Sequence, residues 1–162
     1  AKLQSGAYSG VNGYWDGPGI NSSMAASDAN FLTAPGIIWN NDSQLGGAGD
    51  PLYADFNGVP VGADDVIVKY TYYGDANLDG MVDSTDYFLI DNGFINSLTG
   101  WLNGDFDYSG TVDSTDYFLI DNAFLGQGAP LNAPAPLPTS TSLFSTQPIK
   151  AASADDDGEV WS

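Results

Sequence analysis

The sequence contains no cysteine, no histidine and no arginine, and these absences exclude several classes of protein. Without cysteine there are no disulfide bonds and no thiolate metal sites. Without histidine the common acid–base pairs and nucleophile dyads of enzymes are missing. No apolar run approaches the roughly 18 residues that a membrane-spanning helix needs. The sequence therefore predicts a protein that is not an enzyme and has no membrane span.

Positive charge is also scarce, because 3 lysines face 21 acidic residues and the net charge is -18 at pH 7. Such a chain is repelled by phosphate and anionic lipid, so we do not expect it to bind nucleic acid. All acidic residues except Glu159 are aspartates, which are poor helix formers but good oxygen ligands for hard cations. Calcium is the expected counter-ion. Sites of this kind fill where free calcium is high, which predicts secretion to an extracellular or cell-surface location.

The chain divides by composition into three parts. Residues 1–73 have turn signals between short apolar stretches, which favours a small β-rich domain whose clearest strand runs from Asp65 to Tyr73. Residues 128–162 begin with an Ala/Pro-rich linker, continue with a strand-like segment at 139–147 and end in an acidic tail. We expect this last part to be extended.

The middle part, residues 74–127, contains an internal repeat. The sequence VDSTDYFLIDN occurs at 82–92 and, unchanged, at 112–122. Each copy predicts a helix, the first from Thr85 to Phe94. The side chains expected on the buried side of the two helices are Tyr87, Leu89, Ile90, Phe94, Tyr117, Leu119, Ile120 and Phe124.

Each predicted helix follows a twelve-residue pattern typical of an EF-hand-type calcium loop. In such a loop the ion takes oxygens from positions 1, 3, 5, 9 and 12 and from the main-chain carbonyl of position 7, and glycine at position 6 allows a sharp turn. The first loop offers Asp75, Asn77, Asp79, the carbonyl of Met81, Asp83 and Asp86. The second offers Asp105, Asp107, Ser109, the carbonyl of Thr111, Asp113 and Asp116. The sequence therefore predicts two bound calcium ions, with the second site the weaker because Ser109 replaces an aspartate.

Aspartate-rich segments also form solvated turns and helix caps, and Asp83 and Asp113 stand where a helix cap would. Two loops in register, each followed by the same helix, favour the calcium sites over this alternative. Each loop also brings several carboxylates together, whose repulsion is on the order of kcal/mol even at an effective dielectric of about 20. We therefore expect the loops to open without metal.

The pattern Gly-Asp-x-Asn-x-Asp-Gly-x-Val-Asp-Ser-Thr-Asp, duplicated and followed each time by a helix, resembles the type I dockerin domains of cellulosomes. The resemblance covers roughly residues 74–127. It implies a loop–helix pair that binds a cohesin-like scaffold protein. The positions that match the family's recognition residues are Ser84, Thr85, Ser114 and Thr115. Since they are the same in both halves, the resemblance implies docking in two orientations.

The chain departs from the dockerin pattern at Asp91-Asn92 and Asp121-Asn122, where that family often carries Lys-Arg. This difference affects the expectation of cohesin binding but not the expectation of calcium binding. More loosely, the run VKYTYYGDANLDG is similar to the C-terminal region of large exported surface proteins from planctomycete-type bacteria. That resemblance implies a bacterial surface location.

The sequence as a whole predicts an α+β protein, with a small β-rich N-terminal domain, a dockerin-like pair of EF-hand-type loop–helix repeats and an extended C-terminal tail. The favoured function is a non-catalytic secreted structural protein that binds calcium and self-assembles into a filament or surface layer, by strand exchange of its termini. One alternative is a dockerin module that binds a cohesin-like partner. Another is a carbohydrate-binding module, in which aromatic side chains stack on sugars. The tryptophans available for stacking are Trp15, Trp39, Trp101 and Trp161.

Overall fold

The computed structural model describes Trp15 and residues 19–131, which combine helices with two small antiparallel sheets. The elements are α1 (Ser23–Ala26), β1 (Thr33–Trp39), a 3₁₀ turn (Asp42–Leu45), β2 (Asp55–Phe56), β3 (Val59–Pro60), β4 (Val66–Tyr72), α2 (Ser84–Asn96), a second 3₁₀ turn (Trp101–Asn103) and α3 (Ser114–Gly126). This mixture confirms the α+β class. The predicted strand-like segment at 139–147 and the acidic tail lie outside the described residues.

The larger sheet pairs β1 with β4. The two strands are antiparallel, with Thr33 opposite Tyr72 and Trp39 opposite Val66, and β4 confirms the strand predicted from Asp65 to Tyr73. The second sheet is the short hairpin of β2 and β3. Its turn consists of Asn57 and Gly58, both with positive φ, as the tightest hairpin turns require.

The helices α2 and α3 begin in the same way because the same residues precede them. Asp83 caps α2 by accepting a hydrogen bond from the Thr85 N–H at 2.7 Å, and Asp86 Oδ2 accepts in turn from the Asp83 N–H at 2.9 Å. Asp113 and Asp116 form the same capping box at the start of α3. These paired bonds satisfy N–H groups that the first helical turn leaves without partners.

The two helices contact each other through equivalent residues of the repeat. The Tyr87 hydroxyl donates to Asp121 Oδ1 and the Tyr117 hydroxyl donates to Asp91 Oδ1, each at 2.6 Å. A tyrosine in the first turn of each helix thus meets an aspartate just past the middle of the other, and the order along the two helices is reversed. The helices are therefore antiparallel, and their contact has local two-fold pseudosymmetry.

The predicted buried side of these helices is correct in part. Ile90 and Ile120 are fully buried, but Phe94 is 57% exposed and Phe124 is 47% exposed. The Phe94 ring packs only edge-on against Tyr117, and the Phe124 ring packs likewise against Tyr87. The two phenylalanines lie at the rim of the helix–helix contact and not beneath it, which is why their burial was wrongly predicted.

The two halves of the repeat also interlock through glycines. A Cβ on Gly74 would lie 2.5 Å from Ile120, and a Cβ on Gly104 would lie 2.5 Å from Ile90. Both glycines also have positive φ, which disfavours any larger residue. Each glycine therefore brings its loop against the helix of the other half.

The larger sheet packs directly on the loops that precede α2 and α3. A Cβ on Gly36, in β1, would lie 2.6 Å from Leu78 and 2.8 Å from Trp101. The Tyr108 hydroxyl donates to the carbonyl of Pro35 at 2.8 Å. One hydrophobic cluster contains residues from both sides of the boundary predicted at 73/74. Among the described helices, none is long and apolar enough to cross a membrane.

Candidate metal centre

The second loop brings three carboxylates together. Asp105, Asp107 and Asp116 each offer one carboxylate oxygen, and these three oxygens lie within 4.8 Å of one another. Asp105 and Asp116 are buried and Asp107 is half-buried. These residues occupy positions 1, 3 and 12 of the predicted loop. Their donor atoms and spacing allow them to hold a metal ion.

The loop is closed by hydrogen bonds from its own backbone. Asp116 Oδ1 accepts from the Phe106 N–H at 2.7 Å, which ties position 12 to position 2. Asp105 Oδ2 accepts from the Gly110 N–H at 3.1 Å, which ties position 1 to position 6. Asp116 reaches the start of the loop because it lies in the first turn of α3. In this fold an aspartate side chain at position 12 is therefore long enough to reach the start of the loop.

The first loop repeats this arrangement. Asp86 Oδ1 accepts from the Ala76 N–H and Asp75 Oδ2 accepts from the Gly80 N–H, both at 2.8 Å. At position 3 the first loop carries Asn77 in place of an aspartate, so it presents a carboxamide where the second loop presents a carboxylate. The backbone frame of the two loops is the same, and their ligand chemistry differs at positions 3 and 5.

Side chains at positions 3 and 5 bend back onto the backbone of their own loop. Asn77 Oδ1 accepts from the Asp79 N–H at 2.9 Å, and Asp79 Oδ1 accepts from the Met81 N–H at 3.0 Å. In the second loop, Asp107 Oδ1 accepts from the Ser109 N–H at 2.8 Å, and the Ser109 hydroxyl donates to the Thr111 carbonyl at 3.1 Å. These bonds hold the predicted ligands against their own loops.

The predicted ligands at position 9 bond to the backbone of the helix that follows each loop. Asp83 and Asp113 are exposed, and one carboxylate oxygen of each accepts the capping bond described for α2 and α3. The structure therefore places both residues as helix caps, which was the alternative raised by the sequence. Their role as calcium ligands stays a prediction.

One buried oxygen in each loop has no hydrogen-bond partner among the described residues. These atoms are Asp75 Oδ1 and Asp105 Oδ1, and the two side chains are only 0% and 3% exposed. A buried carboxylate oxygen without a partner is costly and therefore rare in folded proteins. Both atoms belong to position 1 of their loops. A cation bound by the loop would provide the missing partner, so the residues present fit a metal ion.

The carboxylates of both loops hold protons more tightly than free aspartate does. Burial raises the pKa of Asp75 to about 6 and the pKa of Asp86 to about 7. In the second loop, burial raises the pKa of Asp116 to about 6 and also raises the pKa of Asp105. The negative charge of these groups is thus disfavoured by the fold itself. A bound cation would offset that cost.

The hydrogen bonds of each loop oppose the opening that repulsion between its carboxylates predicts. Where these bonds keep the metal-free loops closed, the pKa shifts predict how the stability of the metal-free protein changes with pH. Unfolded aspartate has a pKa of about 3.9, so between about pH 4 and pH 7 the folded protein binds more protons than the unfolded chain. Stability then falls as pH rises through that range. We expect metal-stripped protein to melt at a higher temperature at pH 5 than at pH 7.5 in thermal unfolding followed by circular dichroism.

Surface charge repulsion acts in the same direction, so the contribution of the loops needs a matched control. Asp105→Asn removes one titrating group from the second loop, while Asp64→Asn removes an exposed carboxylate outside both loops. The pH dependence should become weaker in the first variant than in the second. Equal pH dependence in the two variants would contradict the explanation by buried carboxylates.

Several residues outside the loop pattern support the loops and were not predicted from sequence. The Trp101 indole N–H donates to the Asp75 carbonyl at 2.7 Å, and the Thr71 hydroxyl donates to Asp75 Oδ2. The side-chain amide of Gln127 both donates to and accepts from the backbone of Val82, with both bonds at 2.8 Å. Thr71 could have been found from the alternation of β4, but no sequence signal marks Trp101 or Gln127.

A positive charge also lies beside the first loop. The Lys69 ammonium donates to the Leu78 carbonyl at 2.7 Å, and its charge interacts with Asp75 and Asp79. In the metal-free loop this charge partly balances the carboxylates, but it repels a cation. It therefore opposes the predicted order of affinities, in which the second site is the weaker.

Lys69→Gln is expected to raise the calcium affinity of the first loop. Removing a unit charge near a divalent ion changes the binding free energy by on the order of 1 kcal/mol, which corresponds to about fivefold in affinity. Isothermal calorimetry would measure the change, with the charge-retaining variant Lys69→Arg as the control. An unchanged affinity in Lys69→Gln would show that the ammonium does not influence the site.

The predicted partner-binding residues lie between the predicted metal ligands at positions 9 and 12 of each loop. Ser84, Thr85, Ser114 and Thr115 are all exposed in the first turns of α2 and α3. One helical turn further on, Phe88 is 69% exposed and Phe118 is 66% exposed. Each helix thus presents two hydroxyl groups and a phenylalanine to solvent at equivalent positions.

Burial removes two of the three described tryptophans from the predicted sugar-stacking surface. Trp15 and Trp101 are each only 1% exposed, whereas Trp39 is 43% exposed. Trp161 lies outside the described residues. The two buried tryptophans thus contribute to the core, as the rings around Trp101 show.

A comparison with known proteins finds no matching family model, no matching curated protein and no matching solved structure.

Proposed function

We propose that this protein is a non-catalytic calcium-binding module in which each of the two loops holds one calcium ion. The observation that supports this most strongly is the unpartnered, buried Oδ1 atom of Asp75 and of Asp105. Aspartate and main-chain carbonyl oxygens are the ligands that calcium prefers. In the second loop they include the three carboxylates that converge within 4.8 Å. On this proposal the ion stabilises the loop by neutralising charges that burial disfavours.

The first experiment is a calorimetric titration of metal-stripped protein with calcium chloride. We expect two ions per chain, and little heat with magnesium, which prefers a more regular site with several retained waters. A double variant, Asp75→Ala with Asp105→Ala, serves as the matched control and should bind neither ion. Absence of calcium binding by the wild-type protein would overturn the proposal.

We further propose that the module is a secreted structural protein that self-assembles into a filament or surface layer. The support is that β4 pairs only with β1 within the described residues, so one edge of the sheet is available to another strand. The predicted donor is the strand-like segment at 139–147. Light scattering on the titrated sample would show particle growth with calcium, whereas a persistent monomer would contradict self-assembly.

The exposed first turns of α2 and α3 favour a second candidate, a dockerin-type module that binds a cohesin-like protein. Its support is the repeated surface of two hydroxyls and one phenylalanine on each helix. A complex with one partner should survive changes in one helix, since the other offers the same surface. Only the combined change of Ser84, Thr85, Ser114 and Thr115 to alanine should abolish it. Loss of binding on changing one helix alone would contradict docking in two orientations.

A further inference from the structure

A groove runs along β4 on the side of the sheet remote from β1. It has a volume of about 710 Å³. The residues that line it and carry the argument are Met24, Phe56, Val66, Val68, Tyr70 and Leu131. Three of these side chains are unusually open for apolar residues, since Met24 is 58%, Val66 61% and Val68 50% exposed. A contiguous apolar surface of this kind is typical of a site that another chain segment, a partner or a ligand covers.

The chain itself enters this groove after α3. The Tyr72 hydroxyl, at the end of β4, accepts from the Gly128 N–H and donates to the Ala129 carbonyl, both at 3.0 Å. The Leu131 N–H then donates to the Gly80 carbonyl at 2.9 Å, and Leu131 is one of the residues that line the groove. The backbone after α3 is therefore fixed at three points, and at the last of them it is already inside the groove.

The residues that follow have the composition and length to fill the groove. Residues 132–138 read Asn-Ala-Pro-Ala-Pro-Leu-Pro and carry no charge. Proline has no N–H, so such a segment covers apolar side chains with few unsatisfied donors. From Tyr70 to Val66 a strand rises about 13 Å. The seven residues span about 22 Å in a polyproline conformation, which is enough to cover this length.

We propose that residues 132–138 of the same chain occupy the β4 groove as an extended strap that runs from Leu131 towards Val66. The same chain is favoured over a second copy because Leu131 already lies in the groove. A segment tethered this closely has an effective concentration in the millimolar range. The proposal goes beyond calcium binding and does not depend on it. A strap in this groove would occupy the same side of β4 as the added strand of the self-assembly proposal, so the two arrangements exclude each other in one molecule. It also covers the apolar side chains that β4 exposes.

Pairwise disulfide trapping tests the strap without background, because the chain has no cysteine of its own. Val66→Cys or Val68→Cys is combined with Ala133→Cys or Ala135→Cys in the full chain, with calcium present. The variants are oxidised at low protein concentration, and the linkage is located by peptide mass spectrometry. The changes on β4 are at exposed positions, so folding should be retained, as circular dichroism would verify.

At least one of these pairs should form an intrachain disulfide about tenfold faster than a control pair, because the strap holds the two residues at high effective concentration. The control combines Ala135→Cys with Ile95→Cys, which lies on α2 and is 76% exposed. Equal rates for groove and control pairs would overturn the proposal. Disulfide-linked dimers that increase with concentration would also overturn it, because they would show that the segment of a second copy occupies the groove.

Discussion

Asp105→Asn is expected to stabilise the metal-free protein and to destabilise the calcium-loaded protein relative to wild type. Without metal, the Asp105 carboxylate is buried with one oxygen unpartnered and with its pKa raised by burial. Asparagine has nearly the same shape but no charge, and its amide can donate to the nearby Asp107 or Asp116. We expect a gain of about 1–3 kcal/mol in metal-stripped protein at pH 7.5, the usual cost of an unsatisfied buried group.

With calcium the sign reverses, because the variant loses binding at the second loop. At a free calcium concentration 100 times the dissociation constant, a site contributes about 2.7 kcal/mol to the stability of the folded state. Urea unfolding in chelator and in excess calcium would measure both effects on one sample. Asp64→Asn, at an exposed position outside both loops, should show neither. Destabilisation of Asp105→Asn under both conditions would mean that the carboxylate has a structural role independent of any cation.

Trp101→Ala should cause the largest loss of stability among single substitutions outside the calcium ligands. The Trp101 ring is 1% exposed and contacts Phe106 and Tyr108, with ring centroids at 5.1 and 5.6 Å. It fills the space between the sheet and the two loops. Removing a buried tryptophan typically costs about 3–5 kcal/mol, and we expect the upper part of this range with calcium present.

A second variant separates the packing of Trp101 from its hydrogen bond. Trp101→Phe keeps an aromatic ring but removes the N–H that donates to the Asp75 carbonyl. We expect the free energy of unfolding to fall by about 1–3 kcal/mol. We also expect weaker calcium binding at the first loop, although Trp101 directly precedes the second loop in the chain. Calorimetry and urea unfolding would measure both, with exposed Trp39→Phe as the control. Unchanged binding at the first loop would show that this bond does not couple the two sites.

The local features of this molecule were predictable from sequence because short segments determine them. The strand β4 follows from a run of β-branched and aromatic residues, and the helices follow from the capping aspartates and the repeat. The loop residues Asp105, Asp107 and Asp116 were predicted because their spacing follows the order of ligands around an ion. Each of these signals is complete within about a dozen residues.

What the sequence did not predict depends on contacts between distant segments. Gly36 is small because Leu78 and Trp101 pack against it, and Gln127 matters because its amide meets the backbone of Val82. The exposure of Phe94 was missed for the same reason. Helical periodicity predicts which face of a helix is buried, but not how much of that face the neighbouring element covers. Such contacts leave no periodic or local trace in the chain.

The short segment after α3 has a mechanical consequence. Gln127 is bonded to Val82, and Leu131 is bonded to Gly80, so this segment is anchored to the first loop at two points. A pulling force on the C-terminal tail would therefore be carried by the loop and by Tyr72 at the end of β4, before it reached the body of α3. A cation that stiffens the first loop would also raise the force needed to detach the tail. Calcium would then set the tensile strength of any assembly joined through that tail.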